Sequence, residues 1–462
     1  MQDSQIQAIV SKMTAEGLHP RVIDMFCEQY RAFRAGETGK LAWSEVEQPR
    51  PDDIVPWAQN DTEDARAAGK ALLSELVVIQ LNGGLGTTMK LDRAKSLIEV
   101  REEHSFLDIT ALQVLELRKR HQVDIPLLAM NSFRTRADTL AALASHPELP
   151  VEGLPLDFVQ NKVPRIERSS GLPVDFGGGD DEWAPPGHGD IYVSLWATEL
   201  LEKLIAKGYR WAFVSNVDNL GATVDPAILG YLERAGVDFA MEVTDKTLAD
   251  IKGGTLIRHR GRLCLLEGAQ VEDEHLKDFQ DISTFSVFNT NNLWWRMESM
   301  LEALKSGALS LQLIVNPKTV RGVNVVQLET AMGAAVGCFE HARGLRVPRS
   351  RFAPVKSTAD LLALRSDVYV LNDDFQIVPN PQRTMGPPVI VLDDLYKGID
   401  AFELRFPHPM NLLKCTRLTI KGDVRFGKNV RISGDVIIEN LRDEPVFIPD
   451  HQHYAEQVVR FG

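Results

Sequence analysis

A glycine-rich stretch followed by three basic residues is the part of the sequence best suited to phosphate. Residues 81–86 read Leu-Asn-Gly-Gly-Leu-Gly, and Lys90, Arg93 and Lys95 follow. Glycines let backbone N–H groups face phosphate oxygens at close range, and the basic side chains supply positive charge. The stretch therefore predicts a polyphosphate site, with a purely structural turn as the alternative. It matches neither GxGxxG nor GxxxxGK[ST], which argues against a dinucleotide site and a P-loop hydrolase.

Two further side chains stand where phosphate chemistry could use them. Asp218 follows the apolar run 211–214, so we expect it at the carboxyl end of a buried strand, where a carboxylate can hold Mg²⁺ against a phosphate. An Asx turn with Asn219 and Gly221 is the alternative. His188 is flanked by glycines, which expose its ring to a ligand; without a ligand it would be a turn residue.

A cluster of amides is suited to sugar hydroxyl groups. Asn289, Asn291 and Asn292 offer several hydrogen-bond donors and acceptors in one short segment. Some of these amides must serve the backbone, and Asn291 is the one that we expect to close a turn.

Buried strands and helices alternate through the middle of the chain and must position these side chains. Apolar runs at 76–79, 125–130, 211–214 and 239–241 are typical of strands buried on both faces. Apolar residues at 109, 112 and 115 recur at helical spacing between the first two runs. The pattern predicts an α/β fold with a mixed, mostly parallel sheet flanked by helices. Sites in such folds lie beyond the carboxyl ends of the strands.

The two ends of the chain differ from this middle part. Apolar residues at 6, 9, 10 and 13 share one face of a predicted helix, and prolines at 49, 51 and 56 follow it. Residues 418–438 repeat apolar positions every six residues, which is typical of a parallel β-helix; a β-meander with Gly-Asp turns is the alternative. We expect a helical segment at 1–70, a central α/β domain at 71–385 and a β-helix domain at 386–462. The open end of the repeats is a candidate contact in a homo-oligomer.

The composition bounds the partners and the compartment. The formal net charge is −13, which argues against sequence-independent binding of nucleic acid. The four cysteines are scattered without CxxC spacing, so we expect a reducing compartment. The N-terminus lacks the basic and apolar segments of a leader, and no apolar stretch reaches the roughly 18 residues of a membrane span. We expect a cytoplasmic protein with neither a nucleic-acid nor a membrane partner.

From the glycine-rich stretch onward the sequence resembles one family, the eukaryote-type UTP–glucose-1-phosphate uridylyltransferases. Their loop has the form LNGGLGT[ST]M with Lys-Ser further on, as at 81–89 and 95–96 here. The resemblance covers about residues 75–440 and includes, in order, segments at 130–133, 160–165, 185–192, 216–222, 252–255, 288–294, 327–330 and 347–357. It implies a nucleotidyltransferase-type, Rossmann-like α/β domain with a C-terminal left-handed β-helix. It also implies transfer of a uridylyl group from UTP to glucose 1-phosphate, with Mg²⁺ as cofactor.

The resemblance further implies roles for individual residues. For the nucleotide these are Leu81, Asn82, Gly83 and Gly84 as the backbone cradle, Met130 and Gln160 near uracil, Gly187 making room for the nucleoside, and Lys95, Asp218 and Lys356 at the phosphates. For the sugar phosphate they are His188, Asn216, Gly254, Glu267, Asn289 and Asn292. The implied catalytic residues are Lys95, Lys356 and Asp218, and Asp218 is the implied metal ligand. A core position is the alternative for Met130, and a surface lysine is the alternative for Lys356.

Two other functions stay open at this point. One is a uridylyltransferase for N-acetylhexosamine 1-phosphate or for several sugars, although that family usually carries an arginine-bearing LxGGxGTRLG loop, which residues 87–89 (Thr-Thr-Met) do not match. The other is a non-catalytic assembly subunit. Loss of Lys95, Asp218 or Lys356 would have been its sign, and all three are present.

Overall fold

The computed structural model describes residues 2–86, 89–247 and 250–462, so Thr87 and Thr88 of the glycine-rich stretch lie outside the described residues. The helices are α1 (Gln2–Ala15), α2 (Pro20–Arg34), α3 (Glu63–Leu72), α4 (Phe106–His121), α5 (Arg136–Leu143), α6 (Asp190–Ala197), α7 (Leu200–Ala206), α8 (Pro226–Arg234), α9 (Leu276–Phe279), α10 (Met297–Ser306), α11 (Thr358–Arg365) and α12 (Ile399–Arg405). The strands are β1 (Val46–Glu47), β2 (Ile54–Pro56), β3 (Leu76–Asn82), β4 (Glu99–Arg101), β5 (His104–Ser105), β6 (Leu127–Asn131), β7 (Asp157–Val159), β8 (Val163–Pro164), β9 (Ile166–Glu167), β10 (Trp183–Ala184), β11 (Trp211–Asn216), β12 (Phe239–Asp245), β13 (Thr255–His259), β14 (Arg262–Leu266), β15 (Val287–Arg296), β16 (Leu313–Val320), β17 (Val323–Thr330), β18 (Ala342–Arg346), β19 (Tyr369–Leu371), β20 (Ile377–Pro379), β21 (Val389–Leu392), β22 (Asn411–Lys421), β23 (Val424–Phe426), β24 (Arg431–Asn440), β25 (Val446–Ile448) and β26 (His453–Phe461).

A central sheet carries the predicted site residues. Its strand order is β2-β18-β12-β15-β11-β3-β6-β7. Neighbouring strands are parallel, except that β15 runs antiparallel to both β11 and β12. The predicted mixed, mostly parallel sheet is thus confirmed. The apolar runs at 76–79, 211–214 and 239–241 lie in β3, β11 and β12, and the predicted helix around 109–115 lies in α4.

The central strands are buried on both faces because their side chains alternate between two hydrophobic cores. In β3, Leu76 and Val78 pack in what we call the first core, whereas Val77 and Ile79 pack in the second core. Since β3 lies between β6 and β11 and is parallel to both, the carboxyl ends of these three strands meet at one edge of the sheet. The residues that follow them are therefore brought together.

The C-terminal strands stack in parallel. The strands β21, β22, β24 and β26 form one sheet in that order, and β23 pairs with β25. Leu418 lies opposite Val436, three six-residue repeats later in the chain. The predicted apolar positions are buried, with Leu418, Ile420, Val436 and Ile438 all 0% exposed. Parallel neighbours are incompatible with the alternative of a meander, whose strands would be antiparallel.

The N-terminal helices pack against the second core. Ile9 and Met13 of α1 are both 0% exposed and belong to that core, as the predicted apolar face requires. Tyr30 of α2 donates a hydrogen bond to the carbonyl of Gly171 at 2.6 Å. Among the helices of the described residues, none combines the length and the apolar character that crossing a bilayer demands.

Candidate active site

The glycine-rich loop leaves β3 directly beneath the side chain of Gln160. A Cβ atom at Gly83 would lie 3.1 Å from Gln160 Nε2, whereas a Cβ at Gly84 would meet no atom of the described residues within 4 Å. The backbone of Gln160 is fixed, because its N–H donates to the carbonyl of Asn131 at 2.8 Å. The predicted cradle and the predicted uracil-binding amide are therefore neighbours, and one face of the cradle is open.

Asn82 supports this loop from the protein interior. Its side chain is 1% exposed, and Nδ2 donates to Asn131 Oδ1 at 2.8 Å and to Thr139 Oγ1 at 2.7 Å. Only its backbone is available to a ligand, as a backbone cradle requires. The preceding residue, Leu81, is part of the sheet, and its carbonyl accepts the N–H of Val217 at 3.3 Å.

Met130 lies in a hydrophobic core and is almost completely buried. It is 2% exposed, belongs to the second core and pairs with Leu81 and Phe158 in neighbouring strands. A buried side chain of this kind is explained by packing alone. Its position near uracil therefore stays a prediction.

An ion pair joins the loop after β3 to the loop after β11. Lys95 Nζ donates to Asp218 Oδ2, and the two side chains are 16% and 18% exposed. The backbone of Asp218 reaches a third segment, because its carbonyl accepts the N–H of Val355 at 3.2 Å. The carboxylate of Asp218 thus holds the ammonium group of Lys95 in a fixed position between the two loops.

A polar cavity of about 370 Å³ opens beside Asp218. Its lining includes the predicted residues His188, Asn216, Asp218, Gly254, Glu267, Asn289 and Lys356. The volume is in the range of small-molecule sites. Asp250 and Lys252 also line it, and we did not predict them. Lys252 lies in the segment 252–255, where a charged residue beside two glycines was the available signal.

Glu267 closes one side of the polar cavity. A Cβ atom at Gly254 would lie 2.6 Å from Glu267 Oε1, so only glycine admits the carboxyl group at this place. Burial raises the pKa of Glu267, while a hydrogen bond with Asn289 and the charges of Lys246 and Lys356 act in the opposite direction. Because Glu267 lines the polar cavity, its carboxyl group can form hydrogen bonds with a polar ligand there.

His188 enters the polar cavity as a neutral ring. Its Nδ1 accepts the backbone N–H of Met332 at 2.8 Å, which leaves the ring proton on Nε2. Burial lowers the pKa of His188 to about 4. Near neutral pH this histidine is consequently a hydrogen-bond donor through Nε2 and carries no charge.

Glycine is required at position 187 by a contact that the sequence does not show. Its φ is +82°, and a Cβ atom there would lie 2.3 Å from the carbonyl oxygen of Thr330. The space that a side chain would need is taken by the backbone at the end of β17. The close approach of two protein segments therefore requires glycine here, and the role of Gly187 in making room for a nucleoside stays a prediction.

Lys356 is exposed at the rim of the polar cavity. Its Nζ lies 5.7 Å from the ring centre of Phe288 and 5.8 Å from that of Phe352. Its backbone N–H donates to Asp360 Oδ2 at 2.9 Å, which fixes the start of α11. No carboxylate among the described residues pairs with this ammonium group, so its charge is free to meet an anion.

The asparagines of β15 do not all face the polar cavity. Asn291 has φ +64° and its N–H donates to Asn289 Oδ1 at 2.9 Å, so it closes a local turn as predicted. Both Asn289 and Asn291 line the cavity. Asn292 is 0% exposed, and its Nδ2 donates to Glu242 Oε2 at 3.0 Å. The structure therefore does not bring Asn292 to the cavity, because a buried cluster uses its amide.

That buried cluster is a feature that we did not predict. Arg351 Nε donates to Glu242 Oε2 at 2.8 Å, and Glu242 is 0% exposed. Asn219 Nδ2 donates to Asn292 Oδ1 at 3.2 Å, and the N–H of Ala353 donates to Asn219 Oδ1 at 2.9 Å. The cluster holds the loop with Asp218 against the loop with Lys356. A charged residue inside the apolar strand β12 was its signal.

Asp218 has the chemistry of a magnesium ligand. Its Oδ2 accepts from Lys95, while its Oδ1 has no hydrogen-bond partner in the described part of the chain. Mg²⁺ in phosphate-transfer sites is typically held by one or two carboxylates and by the substrate phosphates, and a single carboxylate that lines the polar cavity fits that pattern. The three-residue acidic and histidine group in the described residues, Glu272, Glu274 and His275, is largely exposed and lies outside the polar cavity.

Comparison of the sequence with known proteins gives one family. Residues 23–433 match the family described as UTP–glucose-1-phosphate uridylyltransferase. The chain is 43% identical over 426 residues to the UTP–glucose-1-phosphate uridylyltransferase of Hordeum vulgare, covering 90% of this chain and 89% of the relative. It is 42% identical over 422 residues to that of Solanum tuberosum, covering 90% and 88%.

Comparison of the structure agrees with this result. The UDP-glucose pyrophosphorylase of Leishmania major, solved in open and closed forms, superposes with a TM-score of 0.91 and 40% identity, covering 99% of both chains. A structure of UDP-glucose phosphorylase from Trypanosoma brucei gives a TM-score of 0.88 and 38% identity, covering 99% of this chain and 100% of the other. The chain therefore belongs to the UTP–glucose-1-phosphate uridylyltransferase family.

Proposed function

We propose that the protein transfers the uridylyl group of UTP to α-D-glucose 1-phosphate, giving UDP-glucose and pyrophosphate. The observation that carries the proposal is the ion pair between Lys95 and Asp218, which lies where the glycine-rich loop meets the polar cavity. A triphosphate on the loop and a sugar phosphate in the cavity would meet at this pair. The names of the relatives support the choice of substrates.

UTP binds with its base toward Gln160 and its phosphates toward Lys95. The amide of Gln160 stands over Gly83, where it can pair with the polar edge of uracil. The open face of Gly84 admits the ribose and phosphates of UTP, because no atom of the described residues lies within 4 Å of the place of a side chain. Lys95 follows on the same loop, and its ammonium group faces the phosphates.

The sugar phosphate binds in the polar cavity. His188 Nε2–H donates to a phosphate oxygen, since Nδ1 is already occupied by the N–H of Met332. Glu267, Asn216 and Asn289 line the same cavity and offer hydrogen-bonding groups to sugar hydroxyls. A neutral histidine is suited to this role because it donates a hydrogen bond without a proton being lost or gained during the reaction.

The transfer step needs positioning and charge stabilisation more than proton transfer. An oxygen of the sugar phosphate attacks the α-phosphorus of UTP. The bond between the α-phosphorus and the oxygen that bridges to the β-phosphate breaks, and pyrophosphate leaves with the electron pair of that bond. The attacking oxygen is already ionised, so no general base is required. Lys95 and Lys356 offset the repulsion between the two anions and stabilise the charge on the leaving pyrophosphate.

Asp218 is the proposed ligand of Mg²⁺. When bound there, Mg²⁺ would neutralise phosphate charge and orient the two substrates. The assignment is supported by Asp218 Oδ1, which has no hydrogen-bond partner among the residues that the structure describes.

Three further proposals concern the whole chain. The hexapeptide repeats form a left-handed β-helix within 386–462, and the parallel pairing of β22 with β24 supports this proposal. The β-helix follows a central domain at 71–385 and an N-terminal segment at 1–70, which is helical at α1 and α2 and also contributes β2 to the central sheet. The protein acts in the cytoplasm, and its four free cysteines support a reducing compartment. The exposed end of the repeats mediates homo-oligomer formation.

The proposed reaction is tested by measuring pyrophosphate release from UTP with glucose, galactose and N-acetylglucosamine 1-phosphates side by side. We expect glucose 1-phosphate to give the highest kcat/KM. A preference for N-acetylglucosamine 1-phosphate, or no release with any of the three, would contradict the proposal. CTP in place of UTP serves as the matched control for the base, because it differs at the edge that Gln160 is proposed to read.

A further inference from the structure

Asp190 is a buried carboxylate that the proposed reaction does not use. It is the first residue of α6 and is 1% exposed. Its Oδ2 accepts the backbone N–H of Asn161 at 2.6 Å and the hydroxyl of Ser194 at 2.6 Å, and its Oδ1 accepts Asn161 Nδ2 at 3.0 Å. Burying a carboxylate is costly unless several donors compensate for lost water. A group of this kind therefore calls for an explanation beyond packing.

The side chain and the backbone of Asp190 hold two different substrate loops. The side chain holds Asn161, which directly follows Gln160, the residue proposed to read uracil. The backbone N–H of Asp190 donates to the carbonyl of Gly187 at 3.2 Å and so closes the turn that contains His188, the residue proposed to hold the sugar phosphate. One residue thus fixes Gln160 and His188 relative to each other.

A role confined to α6 does not account for this arrangement. An acidic residue in the first turn of a helix is stabilised by the helix dipole and normally bonds to its own helix. Only Ser194 among the donors to Asp190 belongs to α6. The others come from Asn161, which lies 29 positions away in the sequence. These bonds connect α6 to the segment after β7 rather than cap a helix.

We propose that Asp190 is a positioning residue that fixes the position of Gln160 relative to His188. The uracil and the sugar phosphate are then held in the correct relative position. The inference rests on the proposed function, because it takes Gln160 and His188 as ligand-binding residues. It adds a residue that touches neither substrate. Its predicted effect lies on substrate binding first and on the transfer step second.

The test is Asp190→Asn, with KM for UTP, KM for glucose 1-phosphate and kcat measured separately. The amide turns a donor toward the N–H of Asn161 and removes the charge-assisted bonds, so we expect KM for UTP to rise about tenfold to a hundredfold. We expect kcat to fall by less than KM rises. Asn161→Ala removes only the side-chain donor, and it should change KM for UTP in the same direction by a smaller factor.

A double-mutant cycle with Gln160→Ala separates positioning from general damage. If Asp190 acts through Gln160, Asp190→Asn should raise KM for UTP far less in the Gln160→Ala background than in the wild type. Full additivity would overturn the inference. If Gln160→Ala alone leaves KM for UTP unchanged, Gln160 does not bind uracil and that part of the proposed function is wrong. This outcome differs from full additivity, which overturns only the role of Asp190.

Glu182→Gln is the control, because Glu182 is also a buried carboxylate, 5% exposed, that accepts backbone N–H groups of Phe176 and Gly178, although it additionally pairs with Lys12. It should lower the melting temperature without raising KM for UTP. If Asp190→Asn and Glu182→Gln shift both quantities alike, Asp190 has only a structural role. Should Asp190→Asn fail to fold, Asn161→Ala carries the same cycle with Gln160→Ala, and an unchanged KM for UTP in Asn161→Ala would then overturn the inference.

Discussion

Lys95 and Asp218 form an ion pair although they follow different strands of the central sheet. The strands β3 and β11 are parallel neighbours, so the loops beyond their carboxyl ends lie side by side, and the two side chains are only 16% and 18% exposed. Asp218 thus holds the ammonium group of Lys95 in place before any phosphate arrives. A cation that is fixed in advance stabilises developing charge without having to reorganise.

Replacing Lys95 by alanine should lower kcat by a factor on the order of 10² to 10³, as removal of one preorganised stabilising group does in other enzymes. Pyrophosphate release under saturating substrates measures the change. Lys90→Ala removes the same charge from the same loop, where the Lys90 side chain lies 3.6 Å from the place of a Cβ atom at Gly398, and we expect a less than about tenfold effect there. Equal effects of the two variants would refute the assignment of Lys95.

Removal of divalent cations should abolish the reaction, because Asp218 offers one carboxylate to a metal that would neutralise phosphate charge. The measurement is turnover after exhaustive chelation, followed by readdition of Mg²⁺. Turnover that survives chelation would rule out the magnesium proposal. Asp218→Asn should raise the Mg²⁺ concentration needed for half-maximal turnover.

His188 should make the fold sensitive to acid. Burial lowers its pKa from 6.5 to about 4, so below pH 6.5 the unfolded chain takes up a proton that the folded protein excludes. The free energy of unfolding should therefore fall as the pH falls from about 6.5 to about 4, by on the order of 3 kcal/mol. Urea unfolding of the wild type and of His188→Gln across this range isolates the effect, since other groups titrate in both proteins. A stability difference that does not vary with pH would contradict the neutral ring.

Loss of the buried charge pair should destabilise the protein strongly. Arg351→Met leaves Glu242 without its counter-ion at 0% exposure, and breaking such a pair costs about 3 to 5 kcal/mol. Arg66→Met, which removes one partner of a surface pair with both side chains more than a third exposed, should cost less than about 1 kcal/mol. Denaturant unfolding measures both. Similar losses in the two variants would show that the buried cluster does not hold the loops together.

The exposed end of the C-terminal repeats should control the oligomeric state. Leu441, Phe447 and Val458 are 68%, 63% and 53% exposed, and apolar side chains of this kind are candidates for contact with a second copy. Light scattering should give a mass above 51.5 kDa for the wild type and a smaller mass for Phe447→Glu. A wild-type mass of 51.5 kDa, or an unchanged mass in the variant, would remove the proposed role of the repeats.

The features that could be predicted from the sequence are those set by local periodicity. The glycines after β3, the buried strands and the apolar positions of the repeats each follow from spacing over a few residues. Asp218 could be predicted because it directly follows a buried apolar run, whereas Lys356 was predicted only from the family resemblance. The structure places them at one cavity because parallel strands end at the same edge of the sheet.

The remaining features depend on contacts between distant segments. Gly187 is required by the backbone of Thr330, more than a hundred positions later in the sequence, and no local pattern reveals such an approach. Asn292 was assigned to the sugar because amides are chemically alike. Asn292 is instead buried and bonded to Glu242 of a neighbouring strand, and no local pattern reveals that contact. Met130 is explained in the same way, as a residue of a strand that is buried on both faces.

The strand β15 also has a consequence for how this enzyme can change over evolutionary time. Asn289, Thr290 and Asn291 line the cavity, and Thr290 and Asn292 also bond to Glu242. A substitution at Asn289 can alter the proposed sugar contact while the bonds to Glu242 keep the backbone in place. Substrate preference can therefore diverge between descendants of one ancestor without a matching loss of folded protein.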